Sequence, residues 1–294
     1  MGLLTASCQV LLHAQKNLGV HFGRTMTLGR QEVFVEPERI RAMARAQGIG
    51  TEGELEALDR AGGFAEPFLK LLGAERIDSI DASDYEGAGI IHDLNVPVPA
   101  DLHGKYSCVF DGGTIEHVFN FPNAIKSCMD MLEVGGHYIG ITPANNHMGH
   151  GFYQFSPELF YRLFAAENGF EMRTMLVRSA SEWYEVADPK ALRERTELVS
   201  AVPVTLFLIA RKNRQVEAFQ TPQQSDYFNA WNAKSPGEYP KSPSEEGNIR
   251  DLVRKVLPVG VKTWLRGVVA LTRKRERVEG LGTVDTRHFK RVEL

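Results

Sequence analysis

The chain has 294 residues, of which 43% are hydrophobic and 24% charged, a composition typical of a soluble globular protein with one large domain and appendages. Three widely spaced cysteines without a C-x-x-C pair argue against a disulfide framework or a thiolate metal site, and they suit a reducing cytoplasm. The sequence shows no secretory leader and no apolar run of membrane-spanning length, so a cytoplasmic protein is expected. A net charge of −3 gives no bias toward nucleic acid, and no nucleic-acid partner is predicted.

Helix and strand signals alternate from the N-terminus. Residues 3–18 contain neither Pro nor Gly and predict a helix, and the alternating residues that follow, broken at Gly29, predict a first, central strand. Residues 34–73 predict a helical insertion, because Pro37 suits a first helical position and Thr51 begins a capping box. The sequence leaves three alternatives for this insertion: a lid over the site, a dimer contact, or a surface addition without a functional role.

Three short apolar runs between residues 76 and 111 each lead to an acid, at Asp81, Asp93 and Asp111. Short β-branched runs bounded by Gly, Pro and Asn predict strands that are buried on both faces of a parallel sheet. Ligands of such sheets bind beyond the carboxyl ends of the strands, so the three acids are predicted to line one crevice. Carboxylates there can accept hydrogen bonds from ribose hydroxyls or from an adenine amino group.

This stretch resembles the middle of a class I S-adenosylmethionine-dependent methyltransferase. The run DGGTIEHV at 111–118 is similar to the turn after the family's fourth strand, and the likeness continues through MLEVGGHYIGITPANN at 131–146 and FSPELFYRLFAAENGFEM at 155–172. It covers roughly residues 20–212. The resemblance implies an α/β fold with a Rossmann-like, largely parallel sheet covered by helices on both faces, an antiparallel last strand, and S-adenosyl-L-methionine as the cofactor.

The resemblance also implies which residues meet the cofactor. In the family an acid that closes the second strand holds the ribose and an acid that closes the third meets the adenine, which here assigns Asp81 and Asp93. Gly29, Arg30 and Asp111 complete the predicted cofactor site.

The turn after the first strand departs from the family. A methyltransferase has a glycine-rich turn there, because the backbone must come close to the methionine half of the cofactor. This chain has Gly29-Arg30-Gln31 instead. Either Arg30 or Gln31 replaces the backbone contacts by a side chain, with Arg30 forked onto the cofactor carboxylate, or the site is degraded and Arg30 is a surface charge.

A polar loop follows the fifth strand, where the family's acceptor and catalytic groups often lie. His117 and His150 are the candidate general bases, because an imidazole can accept a proton near neutral pH, although either could only orient the substrate. The predicted substrate-binding residues are Glu116, Asn146, His147 and Tyr153. A metal site built from Asp111, Glu116, His147 and His150 ranks below these roles, and no metal is predicted, because the H-x-x-H pair lacks a helix to phase it.

The predicted domain organisation is a methyltransferase-like domain at 1–215, a polar linker at 216–248 and a basic amphipathic tail at 249–294. Residues 170–178 and 202–211 predict the last two strands, paired antiparallel at one sheet edge. The segment 249–277 has nine Lys or Arg against two acids, a charge of +7 that leaves −10 for the remainder. Peripheral contact with an anionic membrane and packing against the chain's own acidic core are the two alternatives for it.

The predicted activity is methyl transfer from S-adenosylmethionine to a small or carrier-linked acceptor, at oxygen or nitrogen. The alternative is a catalytically inactive methyltransferase-like protein that binds a nucleoside or a partner. No feature of the sequence predicts an oligomeric state.

Overall fold

The computed structural model describes residues 2–58, 63–179, 182–231, 275–278 and 281–294. Within these ranges the helices are α1 (Thr5–Asn17), α2 (Pro37–Gln47), α3 (Glu52–Ala57), α4 (Glu66–Leu71), α5 (Phe121–Met131), α6 (Pro157–Leu163), α7 (Pro189–Leu192) and α8 (Ser225–Trp231). The strands are β1 (Gly2–Leu3), β2 (Arg24–Leu28), β3 (Glu32–Val33), β4 (Arg76–Asp81), β5 (Ile90–Ile91), β6 (Tyr106–Asp111), β7 (Leu132–Pro143), β8 (Phe170–Ser179), β9 (Glu182–Val186), β10 (Thr205–Lys212), β11 (Arg275–Val278), β12 (Gly282–Asp285) and β13 (Phe289–Val292).

A large mixed sheet organises the described residues. It has nine strands in the order β13-β9-β8-β10-β7-β6-β2-β4-β5. The strands from β5 to β7 run parallel, whereas β10 pairs antiparallel with both β7 and β8. The predicted fold class, a largely parallel sheet with an antiparallel last strand, is therefore confirmed. That antiparallel strand, β10, lies between β7 and β8. Beyond β8 the sheet continues through β9 and β13, two strands that the sequence patterns did not predict.

Apolar side chains cover both faces of the sheet. Val109 of β6 belongs to one core cluster together with α5, while its neighbours Cys108 and Phe110 belong to the other cluster together with α1 and the helices of the insertion. This division follows from the alternation of side chains along a strand. All six residues of β6 are buried, as predicted, but β4 is only partly buried because it lies next to the short edge strand β5.

The helix before β7 ends earlier than the glycine pair at 135–136 suggests. Helix α5 ends at Met131, and β7 begins at Leu132. Lys212 Nζ donates hydrogen bonds to the carbonyl oxygens of Met129 and Leu132, both at 2.8 Å, and so satisfies carbonyl groups at the helix end. The ammonium group is buried, which lowers the pKa of Lys212. A long-range partner therefore sets this boundary.

The insertion and the C-terminal region are structured where they are described. Helices α2, α3 and α4 lie within 34–73, and α8 lies within the range predicted as a linker. In the range predicted as a tail, β11 and β12 form a hairpin and β13 pairs antiparallel with β9. Most of the basic segment, residues 249–274, lies outside the described residues. None of the described helices combines the length and the apolar character needed to cross a membrane.

Candidate functional site

The parallel strands end together at one edge of the sheet. Leu28, the last residue of β2, pairs with Ile80 of β4 on one side and with Asp111 of β6 on the other. The residues that follow these strands are therefore neighbours, in the crevice where ligands of open α/β sheets bind.

The turn after β2 is filled by the side chain of Gln31. Gly29 has a left-handed backbone with φ 68°, and its N–H donates to the carbonyl of Ile80 at 2.8 Å. Gln31 is 2% exposed, and its Nε2 donates to the carbonyl of Leu28 at 2.7 Å. Its Oε1 is buried without a partner and points at Gly112, where an added Cβ would lie only 2.2 Å away. Of the two side chains considered for this turn, Gln31 occupies it.

Arg30 contacts two side chains of the insertion. Its Nε donates to Glu66 Oε1 at 2.6 Å, and its guanidinium carbon lies 3.7 Å from the ring centroid of Phe64. A second contact, from Nη1 to the carbonyl oxygen of Glu86 at 3.3 Å, joins the insertion to the loop after β4. The predicted fork onto a cofactor carboxylate is not the arrangement found, because an acid and an aromatic ring of the insertion engage the guanidinium.

Asp81 and Asp93 occupy the strand ends predicted for them. Asp81 Oδ1 accepts from the N–H of Ser83 at 3.1 Å, and Oδ2 would lie 3.4 Å from a Cβ at Gly29. Asp93 Oδ1 accepts from the backbone N–H and the side-chain amide of Asn95, and these hydrogen bonds lower the pKa of Asp93. Asp93 is exposed, so its second oxygen stays accessible. Gly29 and the carboxylate of Asp81 therefore lie next to each other at the edge of the sheet where the parallel strands end.

Asp111 does not line the crevice, contrary to prediction. It is fully buried, and its Oδ1 accepts from the backbone N–H groups of Gly113 and Thr114 at 3.2 and 2.7 Å, while Oδ2 accepts from Tyr138 Oη at 2.9 Å. Burial raises the pKa of Asp111 despite these hydrogen bonds. Both oxygens are used inside the protein, so Asp111 holds the loop after β6 and has no free acceptor for a cofactor.

Glu116 lies beneath the candidate acceptor site. Its side chain is 1% exposed, Oε1 lies 3.3 Å from His150 Nε2, and Oε2 is buried without a partner. Burial, followed by the nearby negative charge of Asp111, raises the pKa of Glu116. Glu116 can therefore take its predicted role in substrate binding only if a substrate group reaches its carboxyl beside His150.

The predicted bases His117 and His150 lie side by side. Their ring centroids are 5.0 Å apart, and both residues are exposed. Burial of part of the ring and the proximity of His150 lower the pKa of His117. The ring of His147 lies 5.9 Å from that of His150, and its Nε2 is buried without a partner. The structure thus brings three histidines and Glu116 to one end of the crevice, although they lie in two separate loops.

Asn146 and Tyr153 hold the acceptor loop in place. Asn146 has a positive φ of 62°, and its Nδ2 donates to the carbonyl oxygens of Ser200 and Val202 at 2.8 and 3.0 Å. Tyr153 Oη donates to the carbonyl oxygen of Phe119 at 2.6 Å. The polar groups predicted to contact substrate are therefore engaged with neighbouring loops. Sequence reasoning also missed Tyr138 and Thr114, whose partners Asp111 and Leu28 are distant in sequence.

Solved structures that resemble this chain include methyltransferases and a polyamine synthase. A branched-chain polyamine synthase from Thermus thermophilus, in complex with N4-aminopropylspermidine and 5'-methylthioadenosine, is 12% identical with a TM-score of 0.38, over 76% of this chain and 62% of that one. The Burkholderia thailandensis 1,6-didemethyltoxoflavin-N1-methyltransferase, with bound 1,6-didemethyltoxoflavin and S-adenosylhomocysteine, is 14% identical with a TM-score of 0.36, over 70% and 77% of the two chains. A geranyl diphosphate methyltransferase in complex with SAM is 13% identical with a TM-score of 0.34, over 70% and 84%.

The chain matches less than two thirds of the polyamine synthases, 59% of one structure and 62% of the other. Neither a protein-family model nor a curated protein matches the sequence. With TM-scores from 0.34 to 0.38, these likenesses carry no assignment of function, which depends on the residues of the site.

Proposed function

We propose that this chain transfers a methyl group from S-adenosylmethionine to a small or carrier-linked acceptor, at oxygen or nitrogen. The observation that supports this best is the position of Asp81 beside Gly29, with Oδ2 only 3.4 Å from the place of an added Cβ. Among the residues that the structure describes, that oxygen takes part in no hydrogen bond, so it can accept from ribose hydroxyls. Asp93, at the end of the next strand, is proposed to meet the adenine.

Bound S-adenosylmethionine supplies a methyl group that its sulfonium already makes electrophilic. The chain then has to place an acceptor in line and, for a hydroxyl, to help remove its proton. His117 and His150 are proposed for that task, because they are exposed side by side in the loops that follow β6 and β7. An imidazole can accept a proton near neutral pH.

A second candidate function is nucleoside or partner binding without catalysis. Gln31 favours it, since its side chain occupies the turn in which the family uses glycines to admit the methionine half of the cofactor. Methyl transfer and nucleoside binding both require a bound nucleoside near Asp81, and they differ in whether a reactive methyl group can be accommodated.

Calorimetric titration with S-adenosylmethionine and S-adenosylhomocysteine tests the cofactor site. A hydrogen bond to a charged group contributes about 1.5–3 kcal/mol, so Asp81→Ala should weaken binding roughly tenfold to a hundredfold. Asp101→Ala is the matched control, because Asp101 is an exposed acid outside the crevice. If wild-type protein binds neither ligand at millimolar concentration, the cofactor site and the methyl-transfer function are excluded, and only partner binding is left. Melting curves identify any variant that has lost its fold.

Release of S-adenosylhomocysteine in the presence of candidate acceptors tests the catalytic role. His117→Ala or His150→Ala should lower turnover by about a hundredfold to ten-thousandfold, the usual contribution of a positioned general base, and leave cofactor affinity nearly unchanged. Full turnover in both variants would remove the histidines from the mechanism. Loss of cofactor binding in His117→Ala would instead assign that residue to the cofactor pocket.

A further inference from the structure

In the part of the chain that the structure describes, one group of three side chains has the arrangement of a metal site. The potential ligand atoms of Glu116, His117 and His150 all lie within 4.8 Å of one another. Glu116 and His117 follow β6, and His150 comes from the loop after β7, so two neighbouring loops of the crevice contribute.

The buried carboxyl of Glu116 lacks a partner that a cation would supply. Its side chain is 1% exposed, and Oε2 has no hydrogen-bond partner, while Oε1 is 3.3 Å from His150 Nε2. A buried polar atom without a partner is costly, and such an atom in a native structure calls for an explanation. Asp111, which is also fully buried, adds negative charge nearby. A cation bound through both carboxylate oxygens of Glu116 would give Oε2 a partner and would offset the negative charge nearby.

We propose that Glu116, His117 and His150 bind a divalent transition-metal ion of the Zn²⁺ type. Two imidazoles and one carboxylate are a known ligand set for catalytic zinc, in which the fourth position stays open for water or substrate. Mg²⁺ and Ca²⁺ fit less well, because they prefer oxygen ligands throughout.

The geometry needs only a small adjustment to bind an ion. Ligands about 2.0–2.2 Å from a tetrahedral zinc lie roughly 3.3–3.6 Å apart. The Glu116 Oε1 to His150 Nε2 distance is already 3.3 Å, and ligand atoms of the group that lie as far as 4.8 Å apart have to approach one another by about 1 Å. Both histidines are exposed and can rotate, whereas Glu116 is buried. A Cβ at Gly151, where φ is 69°, would lie 2.8 Å from the carbonyl oxygen of Glu116, so the loop that carries His150 packs directly on it.

The three cysteines of the chain do not compete for the ion. Cys8, Cys108 and Cys128 are buried, and burial raises the pKa of each thiol, which disfavours the thiolate that zinc requires. Among the described residues no other three His, Cys, Asp or Glu side chains bring their ligand atoms this close together, so a saturable site should report on the Glu116 cluster.

The ion would also narrow the class of acceptor, an extension that rests on the proposed function. An acceptor with an oxygen donor, such as a phenol or an enol, could take the open position, and coordination would lower the pKa of that hydroxyl. The hydroxyl would release its proton to water, its oxygen would form a bond to the methyl carbon as the carbon–sulfur bond of S-adenosylmethionine breaks, and S-adenosylhomocysteine would leave.

The test is a calorimetric titration of full-length protein, first stripped with a chelator, with ZnCl₂. The ligand variants are Glu116→Gln and the double variant His117→Ala/His150→Ala, and the controls are Glu133→Gln and His103→Ala, which alter an exposed acid and an exposed histidine elsewhere. Wild type and controls should bind one Zn²⁺ per chain, with at least tenfold weaker binding in both ligand variants. Glutamine matches the shape of a protonated glutamate, so Glu116→Gln should keep the fold, as its melting temperature without metal would show.

Two results would overturn the proposal. One is the absence of saturable binding of one Zn²⁺ per chain below about 100 μM in wild type, and the other is unchanged binding in the double variant, which would place the ion elsewhere. S-adenosylmethionine is titrated in parallel with and without Zn²⁺. Intact cofactor binding without metal binding would refute the metal site alone, whereas metal binding without cofactor binding would refute the proposed function alone.

Discussion

The contact between Gln31 and Gly112 determines how this chain fills the turn after its central strand, and Gly112→Ala perturbs it directly. An added Cβ would lie 2.2 Å from Gln31 Oε1 and 2.8 Å from Cδ. The amide must therefore withdraw by on the order of 1 Å to reach ordinary van der Waals separation. Gly112 does not have a left-handed backbone, so alanine adds no backbone strain of its own.

The expected cost follows from what the movement breaks. Displacing the amide weakens the 2.7 Å hydrogen bond from Gln31 Nε2 to the carbonyl of Leu28, worth about 0.5–1.5 kcal/mol. Overpacking a buried site adds about 1–3 kcal/mol, so Gly112→Ala should lower the free energy of unfolding by about 2 kcal/mol. In a Gln31→Ala background the amide is absent, so we expect Gly112→Ala to cost much less. The difference between the two costs, the coupling free energy of the two residues, should be about 1–2 kcal/mol.

Urea unfolding of the wild type, the two single variants and the double variant measures this coupling, provided the slopes with denaturant agree. Gly89→Ala is the control, because its Cβ would meet only the carbonyl oxygen of Ser79 at 3.9 Å. Equal costs of Gly112→Ala in both backgrounds would show that Gln31 does not pack against Gly112. The structural basis for a filled turn would then fail.

Three further predictions concern other parts of the chain. Burial, Arg211 and Arg173 lower the pKa of His137 from 6.5 to about 4, so the unfolded chain binds the proton more readily and stability falls as pH drops through this window. His137→Gln should remove roughly 2 kcal/mol of this pH-dependent loss in the free energy of unfolding. If urea unfolding showed the same pH dependence in the variant and the wild type, the loss would not come from His137. Phe289→Ala should lower the free energy of unfolding by about 3–5 kcal/mol, since this residue of β13 is 3% exposed, and a cost below 1 kcal/mol would mean that β13 does not seal the sheet edge. Finally, three cations of the basic segment 249–277 are changed to glutamine, which avoids a truncation that would also delete β13. They are Arg254, Lys255 and Lys262. The variant should lose the salt-sensitive pelleting with anionic vesicles, because each cation contributes about 1 kcal/mol to binding at such a surface. Equal pelleting of the variant and the wild type would remove this segment from any membrane role.

Much of the fold near the site could be predicted from local patterns. The apolar runs that lead to Asp81 and Asp111 are strands β4 and β6, and Thr51 begins a helix with the predicted capping box, because its Oγ1 accepts from the N–H of Glu54. These features depend on residues close together in sequence. The resemblance to methyltransferases added the order of elements, which no local pattern contains.

The direction of the side chains at the crevice was decided only by the tertiary structure. Asp81 and Asp111 both close a parallel strand, yet Asp111 turns inward because Tyr138, 27 residues further on, donates to it. Arg30 donates to Glu66 because the fold brings this acid, 36 residues away, within hydrogen-bonding distance. Periodicity determines the strand on which a residue lies, but the orientation of a polar side chain depends on which distant donor or acceptor offsets the loss of its hydration.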